Sequence, residues 1–250
     1  QEEDEDVDGD PATSEGIYVL GAAVDVKVGD RVRVTGRAGE SGGLTRLSPV
    51  SEVVVCEEGV ALPAPTAVAL PVASVDDLEA LEGMLVTFPQ ELYVADLSDL
   101  DRFGEVVLSA PVHGGRPYQP TSLLAPDDPA VAELRDLIER SRIVLDDGRS
   151  RQNPDPARHP NGGVFDLGNL LRGGDTVMDV TGVLDFAFGR YRVQPTRGAV
   201  HTPANPRPAG PEPVGGSVRA AVFNVLNYFD GFGDGCGPEG DDECRGADDA

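Results

Sequence analysis

The sequence predicts a mainly β protein, and three observations lead to this prediction. Most apolar residues fall in short runs rich in β-branched side chains, and in many runs they alternate with polar residues. Glycine, proline and aspartate separate the runs, and these residues favour turns. One strand pattern occurs twice, with Gly-Asp before alternating valines and a glycine after them. We therefore expect many short strands joined by tight turns.

The first predicted unit covers residues 1–60. Strands are expected at 16–20 (GIYVL), at 29–48, where two strands surround a glycine-rich turn, and at 51–56 (SEVVVC). A proline-rich connector over 61–81 separates this unit from the next one.

The second predicted unit covers residues 82–202 and contains one helix. Its strands are expected at 83–96, 103–110, 141–148 and 173–196. The helix is expected over 127–141, where apolar side chains recur at helical spacing. Asp127 or Asp128 can cap it, and Pro129 suits its first turn.

The repeated strand pattern indicates the kind of barrel. Residues 29–36 read GDRVRVTG, and residues 174–182 read GDTVMDVTG with one extra residue. Gly-Asp makes a tight turn, the valines can face a barrel interior, and the second glycine permits the bulge that closes a small barrel. The pattern is typical of five-stranded barrels of the oligonucleotide/oligosaccharide-binding (OB) type. The sequence therefore predicts an incomplete OB-like barrel over 1–60 and a second OB-like barrel over 82–202.

The charge balance argues against one class of function. The chain of 250 residues has 20 Lys and Arg against 44 Asp and Glu, which gives a net charge of −24. Binding of nucleic acid by a broad basic face needs clustered cations, so this balance disfavours it. A metal-dependent enzyme acting on phosphates stays compatible, because bound divalent ions supply positive charge. No apolar run approaches the roughly 20 residues of a membrane span.

The last part of the sequence differs in character from the rest. After a linker of proline and glycine over 203–216, residues 217–229 read SVRAAVFNVLNYF and predict a hydrophobic strand. Only 21 residues follow this strand, too few for a domain core of its own. We therefore expect 217–250 to be the N-terminal stub of a further domain. The chain itself, which begins at Gln1 without a signal peptide, is expected to be a fragment that lacks both termini.

Residues 223–229 (FNVLNYF) resemble the first strand of the endonuclease/exonuclease/phosphatase superfamily, which ends in a Phe-Asn pair. Further stretches resemble the ExeM/NucH-type family of extracellular endonucleases, in the order expected for that family. These stretches are LEGMLVTFPQELYV (81–94), RFGEVVLS (102–109), QPTSLLAPD (119–127), IVLDDG (143–148), VTGVLDFAFGRYRVQPT (180–196), PRPAGPEPVGGSVRAAVFNVLNYFD (206–230) and CRGAD (244–248). Members of that family place barrel-like domains before a metal-dependent nuclease domain, and the resemblance covers nearly the whole chain.

The resemblance implies hydrolysis of phosphodiester bonds of DNA, with RNA as the alternative, outside the cell. A divalent metal, Mg²⁺ above all, would stabilise charge on the phosphate. It also implies that 217–250 begins an α/β-sandwich nuclease domain, in which Asn224 helps to arrange the metal and phosphate site. The three histidines, His113, His159 and His201, all precede this segment, so no imidazole is left in it for general acid or base catalysis. The chain by itself is therefore expected to be inactive.

The N-terminal acidic stretch fits the template of a calcium loop. Residues 4–15 read DEDVDGDPATSE, and the candidate oxygen ligands are Asp4, Asp6, Asp8, Asp10 and Glu15. Pro11 interrupts the loop, and a strand rather than a helix is expected after it. Two interpretations stay open, a helix-free Ca²⁺ site and an acidic, solvated connection between strands.

The cysteines suit an oxidising compartment. Cys236 and Cys244 bracket a loop of glycine and aspartate and are expected to form a disulfide. Cys56 is left over, either because its partner lies outside the chain or because it is a buried strand thiol.

Two further features could carry function. The last hairpin of the second unit has aromatic and basic residues that could stack on bases and contact phosphates, namely Phe186, Phe188, Arg190, Tyr191 and Arg192. Half of such residues must face the core in any case. Asp146, Asp147 and Gly148 could indicate a metal site, although a strand end also needs a turn here.

Two functions follow from these observations. The first is a secreted metal-dependent endonuclease, of which this chain carries the accessory barrels and the start of the catalytic domain. The second is a non-catalytic OB-fold module that binds nucleic acid or polysaccharide.

Overall fold

The computed structural model describes residues 1, 8–10, 12–21, 24–218 and 220–222, together with the backbone of 234–236 and 242–243. The chain divides into two compact units, 1–206 and 207–250. Strands dominate the described residues, so the predicted mainly β class is confirmed.

A three-stranded sheet occupies the N-terminal part of the first unit. Its strands are β1 (Tyr18–Val19), β2 (Arg31–Ser41) and β3 (Leu44–Glu57), in the order β1-β3-β2. β2 and β3 are antiparallel and β1 runs parallel to β3. Gly42 and Gly43 form the two-residue turn of the hairpin with φ angles of 69° and 81°, as tight hairpin turns require. The two strands predicted at 29–48 are therefore present, and β3 also contains the strand predicted at 51–56.

A nine-stranded sheet forms the main body of the first unit. Its strands are β4 (Thr66–Ala67), β5 (Leu85–Phe88), β6 (Leu92–Asp96), β7 (Val106–Ser109), β8 (Arg142–Leu145), β9 (Thr176–Met178), β10 (Val180–Ala187), β11 (Arg190–Pro195) and β12 (Val200–Thr202). They lie in the order β12-β9-β6-β7-β8-β11-β10-β5-β4.

This strand order describes a curled, barrel-like sheet. β5 and β6 are successive parts of one chain path, and so are β9 and β10, which are joined at Asp179 with a φ of 58°. β5 pairs with β10 at one end of the order, and β6 pairs with β9 at the other. When β5 with β6 and β9 with β10 are each counted as one strand, the five strands in chain order are β5–β6, β7, β8, β9–β10 and β11. The first strand pairs with the second and the fourth, the third pairs with the second and the fifth, and the fifth also pairs with the fourth. This connectivity gives a curled, barrel-like sheet, and the OB type of the barrel stays a prediction.

The helices are short and lie in the connections between strands. α1 (Leu100–Phe103) precedes β7, and α2 (Ala130–Arg140) precedes β8. Two 3₁₀ helices lie at Val75–Leu81 and Pro120–Ser122. The helix predicted over 127–141 is confirmed as α2, with Asp128 accepting a hydrogen bond from the backbone N–H of Ala130 at 2.9 Å.

The core fills the inside of the curled sheet. Side chains alternate between buried and less buried along β5, β6 and β11, as expected for strands with one face inward. The side chains with no exposed surface include Val86, Phe88, Leu92, Val94, Leu108, Val177, Leu184 and Val193. Burial of these aliphatic and aromatic groups is the main stabilising contribution to the unit.

The three-stranded sheet contacts the barrel around Glu82. The backbone N–H of Thr45 donates to Glu82 Oε1 at 2.7 Å, and the Ser14 hydroxyl donates to the Glu82 carbonyl. Gly16 and Gly83 approach each other so closely that a Cβ on Gly16 would overlap the backbone of Gly83.

In the second unit, β13 (Asp234–Cys236) pairs antiparallel with β14 (Asp242–Glu243). The described residues of the predicted strand at 217–229, which are 217–218 and 220–222, are not in a strand. The rest of that prediction lies outside the described residues. No helix in the described part of the chain is long and apolar enough to cross a membrane.

Candidate functional site

The predicted nucleic-acid hairpin is formed by β10 and β11, and it exposes one aromatic ring. Phe188 occupies the turn with a φ of 53° and is 88% exposed. Tyr191 is buried and donates its hydroxyl hydrogen to Glu79 at 2.8 Å. Phe186 is half-buried and packs edge-on against Tyr191. The base contact predicted for Tyr191 does not fit this placement, because its ring lies in the core, whereas Phe188 is accessible.

The two arginines of the hairpin are held by carboxylates. Arg192 lies 2.8 Å from Asp185 and 2.7 Å from Asp146, and Glu105 is within 3.2 Å. Arg190 pairs with Glu105 at 3.1 Å. The Arg192 side chain is only 14% exposed, so its positive charge is neutralised by buried carboxylates and is not available to bind a phosphate.

We call Arg190, Arg192 and the acids around them the arginine cluster; the acids are Asp99, Glu105, Asp146 and Asp185. Burial raises the pKa of Asp185, although Arg192 beside it acts in the opposite direction. The cluster ties β11 to β10, to the residue before β7 and to the residue after β8. The arginine cluster therefore links neighbouring strands of the barrel at the place where β8 and β11 lie side by side.

A cavity of about 70 Å³ lies beside the arginine cluster. β8 and β11 run parallel, with Val144 opposite Arg192, so the residues after both strands meet at one edge of the sheet. Asp146 and Asp147 reach the cavity from β8, and the segment after Pro195 reaches it from β11. The ends of these two strands thus place acidic and basic side chains around one space.

Asp147 is the unusual residue of this cavity. Its side chain is 1% exposed, and one carboxylate oxygen, Oδ1, accepts the backbone N–H of Arg149 at 2.8 Å. The other oxygen, Oδ2, is buried without a hydrogen-bond partner, and the nearest cation, Arg149 Nε, is 3.9 Å away. Burial raises the pKa of Asp147 above its usual range.

His159 forms part of the cavity wall and is fully buried. The backbone N–H of Asn161 donates to His159 Nδ1 at 3.1 Å, so the ring hydrogen lies on Nε2, which faces the Leu170 carbonyl at 3.3 Å. Burial and the neighbouring His201 lower the pKa of His159. His201 in turn contacts the buried Asp175 at 3.1 Å. Both nitrogens of His159 are thus engaged, and the ring supports the wall as a neutral group.

The predicted calcium loop is described only in part. Asp8 accepts the backbone N–H of Asp10 at 2.7 Å, and Asp10 accepts that of Ala12 at 3.0 Å. Both aspartates are exposed, and Glu15 is half-buried. Asp4 and Asp6 lie outside the described residues, so the loop stays a prediction. Within the described ranges, no group of three or more His, Cys, Asp or Glu residues is placed to hold a metal ion.

Two further predicted positions, Asn224 and Cys244, lie outside the described residues, and of Cys236 only the backbone is described, in β13. The proposed metal-site asparagine and the disulfide therefore remain predictions. Cys56, the leftover thiol, is exposed and free at the end of β3 and is not a buried strand thiol.

The sequence pointed to part of the cavity but missed its chemistry. Asp146, Asp147 and Gly148 form the expected turn, with Asp146 accepting the Gly148 N–H at 2.9 Å and Gly148 at a φ of 71°. The missed feature is the unpartnered oxygen of Asp147, which depends on what packs over it. The available signal was a pair of carboxylates after an apolar strand. Nothing in the local sequence singled out Glu82, which is 3% exposed and also has an unpartnered oxygen, Oε2.

Comparison with protein families matches residues 70–205 to a domain of unknown function, DUF8508. Comparisons with the curated proteins and with the solved structures found no match. The matched range begins before β5, ends after β12, and includes the arginine cluster and the cavity beside it. Because it covers more than half of the chain, the protein belongs to the DUF8508 family.

Proposed function

We propose that this chain is part of a secreted, metal-dependent endonuclease that hydrolyses phosphodiester bonds of DNA. The observation that carries the proposal is the order of modules: an OB-type barrel precedes a segment whose FNVLNYF string resembles the opening strand of a nuclease domain. In this proposal the barrel is a non-catalytic module, and the catalytic set, with Asn224 as its first member, belongs to the domain that begins near residue 217.

The described residues do not fit a magnesium site. No group of three or more potential ligands converges in the described ranges, and the acids of the arginine cluster face guanidinium groups. The divalent ion would therefore be held by the nuclease domain. The part assigned to the barrel is to hold or orient the substrate strand, and Phe188 is its exposed ring for stacking.

Nicking of supercoiled plasmid tests the endonuclease proposal. The protein as its gene encodes it is incubated with plasmid in Mg²⁺ and, separately, in EDTA. We expect nicking in Mg²⁺ alone, and at least a tenfold loss of rate in Asn224→Ala, because the amide would help to arrange the phosphate site. The matched control is Asn227→Ala, three residues along the same string, which should keep its activity. The 250-residue chain by itself should leave the plasmid intact.

The endonuclease proposal fails if the encoded protein leaves plasmid intact in Mg²⁺. It also fails if nicking persists in EDTA or if Asn224→Ala and Asn227→Ala have equal effects. Nicking by the 250-residue chain alone would contradict the assignment of the catalytic groups to the following domain.

A second function, non-catalytic binding of a neutral polysaccharide, is favoured by the arginine cluster. The hairpin presents an exposed ring, but its arginines are neutralised by buried acids, and the chain carries a net charge of −24. A neutral glycan can pack on an aromatic face and needs no cations. Affinity electrophoresis in a neutral glucan, beside anisotropy with a labelled DNA oligonucleotide, separates the two ligands. Phe188→Ala should weaken the binding of whichever of the two ligands binds. Tyr118→Ala, which removes another exposed ring, is the control and should leave that binding unchanged.

A further inference from the structure

Residues 149–158, which we call the basic loop, carry positive charge in a chain that is acidic as a whole. The loop reads RSRQNPDPAR and has three arginines and one acid, whereas the net charge of the chain is −24. Arg149 and Arg151 are exposed, and Arg158 is half-buried. The basic loop follows the turn after β8, so it extends from a strand of the barrel. It is therefore a local concentration of positive charge at the surface.

Two arginines of the basic loop are held by carbonyl oxygens and not by close carboxylates. Arg149 NH1 donates to the Pro156 carbonyl at 3.0 Å, and Arg151 NH2 donates to the Asp155 carbonyl at 2.7 Å. A carbonyl oxygen fixes the direction of a guanidinium group but does not cancel its charge. Each guanidinium group also has further N–H donors beyond the one used in this bond. Both groups are thus oriented while their charge stays available to a ligand.

The acids near the basic loop neutralise these charges only weakly. Asp147 lies 3.9 Å from Arg149 Nε, and its side chain is 1% exposed. Burial raises the pKa of Asp147, and Arg149 and Arg158 act against this rise, so both positive charges lie close to it. Among the described residues, no ion pair joins Asp155 to Arg149 or Arg151. The loop therefore keeps an excess of positive charge.

The two exposed arginines share one open concavity. Its volume is about 420 Å³, and it is lined by Arg149, Ser150, Arg151, Asp155 and Pro156. Since the two arginines donate to the carbonyls of consecutive residues, their guanidinium groups lie near each other. Ser150 lies between them in sequence, is exposed, and makes no hydrogen bond with the described residues. Two guanidinium groups and a free hydroxyl thus surround one space.

These donors suit a tetrahedral anion. Guanidinium groups bind phosphate through paired N–H···O bonds and stay charged at every pH at which proteins fold. The two oxygens of a carboxylate lie in one plane and suit one guanidinium group, whereas the oxygens of a phosphate point in several directions and can meet two. The concavity is open, so a phosphate can enter it while the groups attached to the phosphate stay outside.

We propose that the basic loop binds a phosphate group between the guanidinium groups of Arg149 and Arg151, with Ser150 as a further donor. The phosphate can come from two sources, a phosphodiester of a nucleic-acid strand or free phosphate. In the first case the loop is a place where the barrel holds the DNA strand, and the inference then deepens the proposed function and rests on it. A single site of this kind is not a broad basic face, so we expect weak binding that depends on salt.

A titration of the ¹⁵N-labelled 250-residue chain followed by two-dimensional NMR tests the site. The probes are sodium phosphate and an oligodeoxythymidylate of about ten nucleotides, and sodium acetate is the planar anion for comparison. We expect saturable shifts of the Ser150 and Arg151 amides with one or both phosphate probes. The Kd of the oligonucleotide should be about 0.1 mM at low salt, and acetate should bind at least about tenfold more weakly than phosphate.

The two phosphate probes distinguish the sources. Shifts with the oligonucleotide alone identify a phosphodiester, and shifts with sodium phosphate alone identify free phosphate. Binding is measured without cleavage, so it is separate from the plasmid test. A chain that binds phosphate while the encoded protein fails to nick plasmid would keep this site and remove the endonuclease proposal.

Variants show whether the arginines carry the binding. Arg151→Gln removes one guanidinium group from an exposed position and should weaken phosphate binding about tenfold. The slope of log affinity for the oligonucleotide against log salt should also fall by about one, which a merely structural role would not produce. Arg149→Gln should have the same effects. Arg135→Gln, the same change at an exposed position of α2, is the control and should bind as the parent chain does.

Several results would overturn the proposal. It fails if neither phosphate probe shifts the amides of the basic loop, or if acetate binds as tightly as phosphate. Equal losses of affinity in Arg151→Gln and Arg135→Gln would mean that only the overall charge matters. Oligonucleotide binding that shifts the Phe188 amide and leaves the basic loop unchanged would place the strand contact on the hairpin of β10 and β11 instead.

Discussion

At the scale of single residues, Glu82 is the group whose protonation we expect to control stability. It is 3% exposed, and its Oε1 accepts the Thr45 N–H while its Oε2 has no partner. Burial raises the pKa of Glu82 from 4.5 to about 7, against the Thr45 hydrogen bond, and the acids Glu79, Glu40 and Asp185 raise it further. The side chain lies where the three-stranded sheet contacts the barrel, so its charge acts on that contact.

Glu82→Gln should therefore remove a pH dependence of stability. The folded pKa lies above the unfolded one, so the contribution of Glu82 is fully present below pH 4.5 and is lost as pH rises through about 7. Glutamine keeps the acceptor for Thr45 and does not ionise. We expect Glu82→Gln to raise the free energy of unfolding by about 2 kcal/mol at pH 8 and to leave it unchanged at pH 4. Urea unfolding at the two pH values measures this difference.

Glu91→Gln, an exposed change between β5 and β6, is the matched control and should have no effect at either pH. If Glu82→Gln stabilises the protein equally at pH 4 and pH 8, the ionisation of Glu82 is not the cause.

The residue scale is also where sequence reasoning reaches its limit. A turn at Asp146–Gly148 follows from residue types alone, because Asp and Gly favour that geometry. The unpartnered oxygens of Glu82 and Asp147 do not follow, because they result from segments distant in sequence, such as the contact of Gly104 with Asp147. The burial of Tyr191 also depends on distant segments, because its hydroxyl bonds Glu79, so the sequence could not show that this predicted contact residue lies in the core.

At the scale of elements, the repeated Gly-Asp pattern makes the same turn in both sheets. Gly29 and Gly174 both have a φ of 92°. Asp30 Oδ2 accepts the Lys27 N–H at 2.8 Å, and Asp175 Oδ2 accepts the corresponding N–H three residues earlier at 2.9 Å. A local pattern thus predicts a local structure correctly, because all the groups involved are neighbours in sequence. The strand pairing that curls the barrel joins distant segments and was expected only by analogy with other barrels.

The second glycine of the pattern tests how tightly the barrel strands approach each other. Gly182 lies in β10, and a Cβ there would overlap the Gln194 carbonyl oxygen in β11. Gly182→Ala must push these paired strands apart, so we expect a loss of about 3 kcal/mol in the free energy of unfolding. Gly39→Ala, in β2 with open space around it, should change stability by less than about 0.5 kcal/mol. Thermal or urea unfolding of the two variants measures both effects, and equal losses would contradict this account.

At the scale of the whole molecule, the excess of acids has two opposing electrostatic effects on stability: exposed acids repel each other, and buried ion pairs attract. The chain has 44 acidic and 20 basic side chains. The arginine cluster gathers four acids around two arginines, and the Arg192 side chain is 14% exposed, so salt screens its ion pairs weakly. Most of the other acids in the described ranges are exposed, and the repulsion between exposed acids acts over distances that salt screens strongly.

We therefore expect sodium chloride to stabilise the protein at neutral pH. Between 0.01 M and 1 M the screening length falls from about 30 Å to about 3 Å, so the long-range repulsion is removed while the arginine cluster is retained. The midpoint of thermal unfolding should rise by about 5 °C. The control is the same titration near the sequence pI of about 4.2, where the net charge approaches zero and the rise should disappear. A midpoint that falls with salt at neutral pH would mean that attractive pairs, and not repulsion, dominate the electrostatic free energy of the fold.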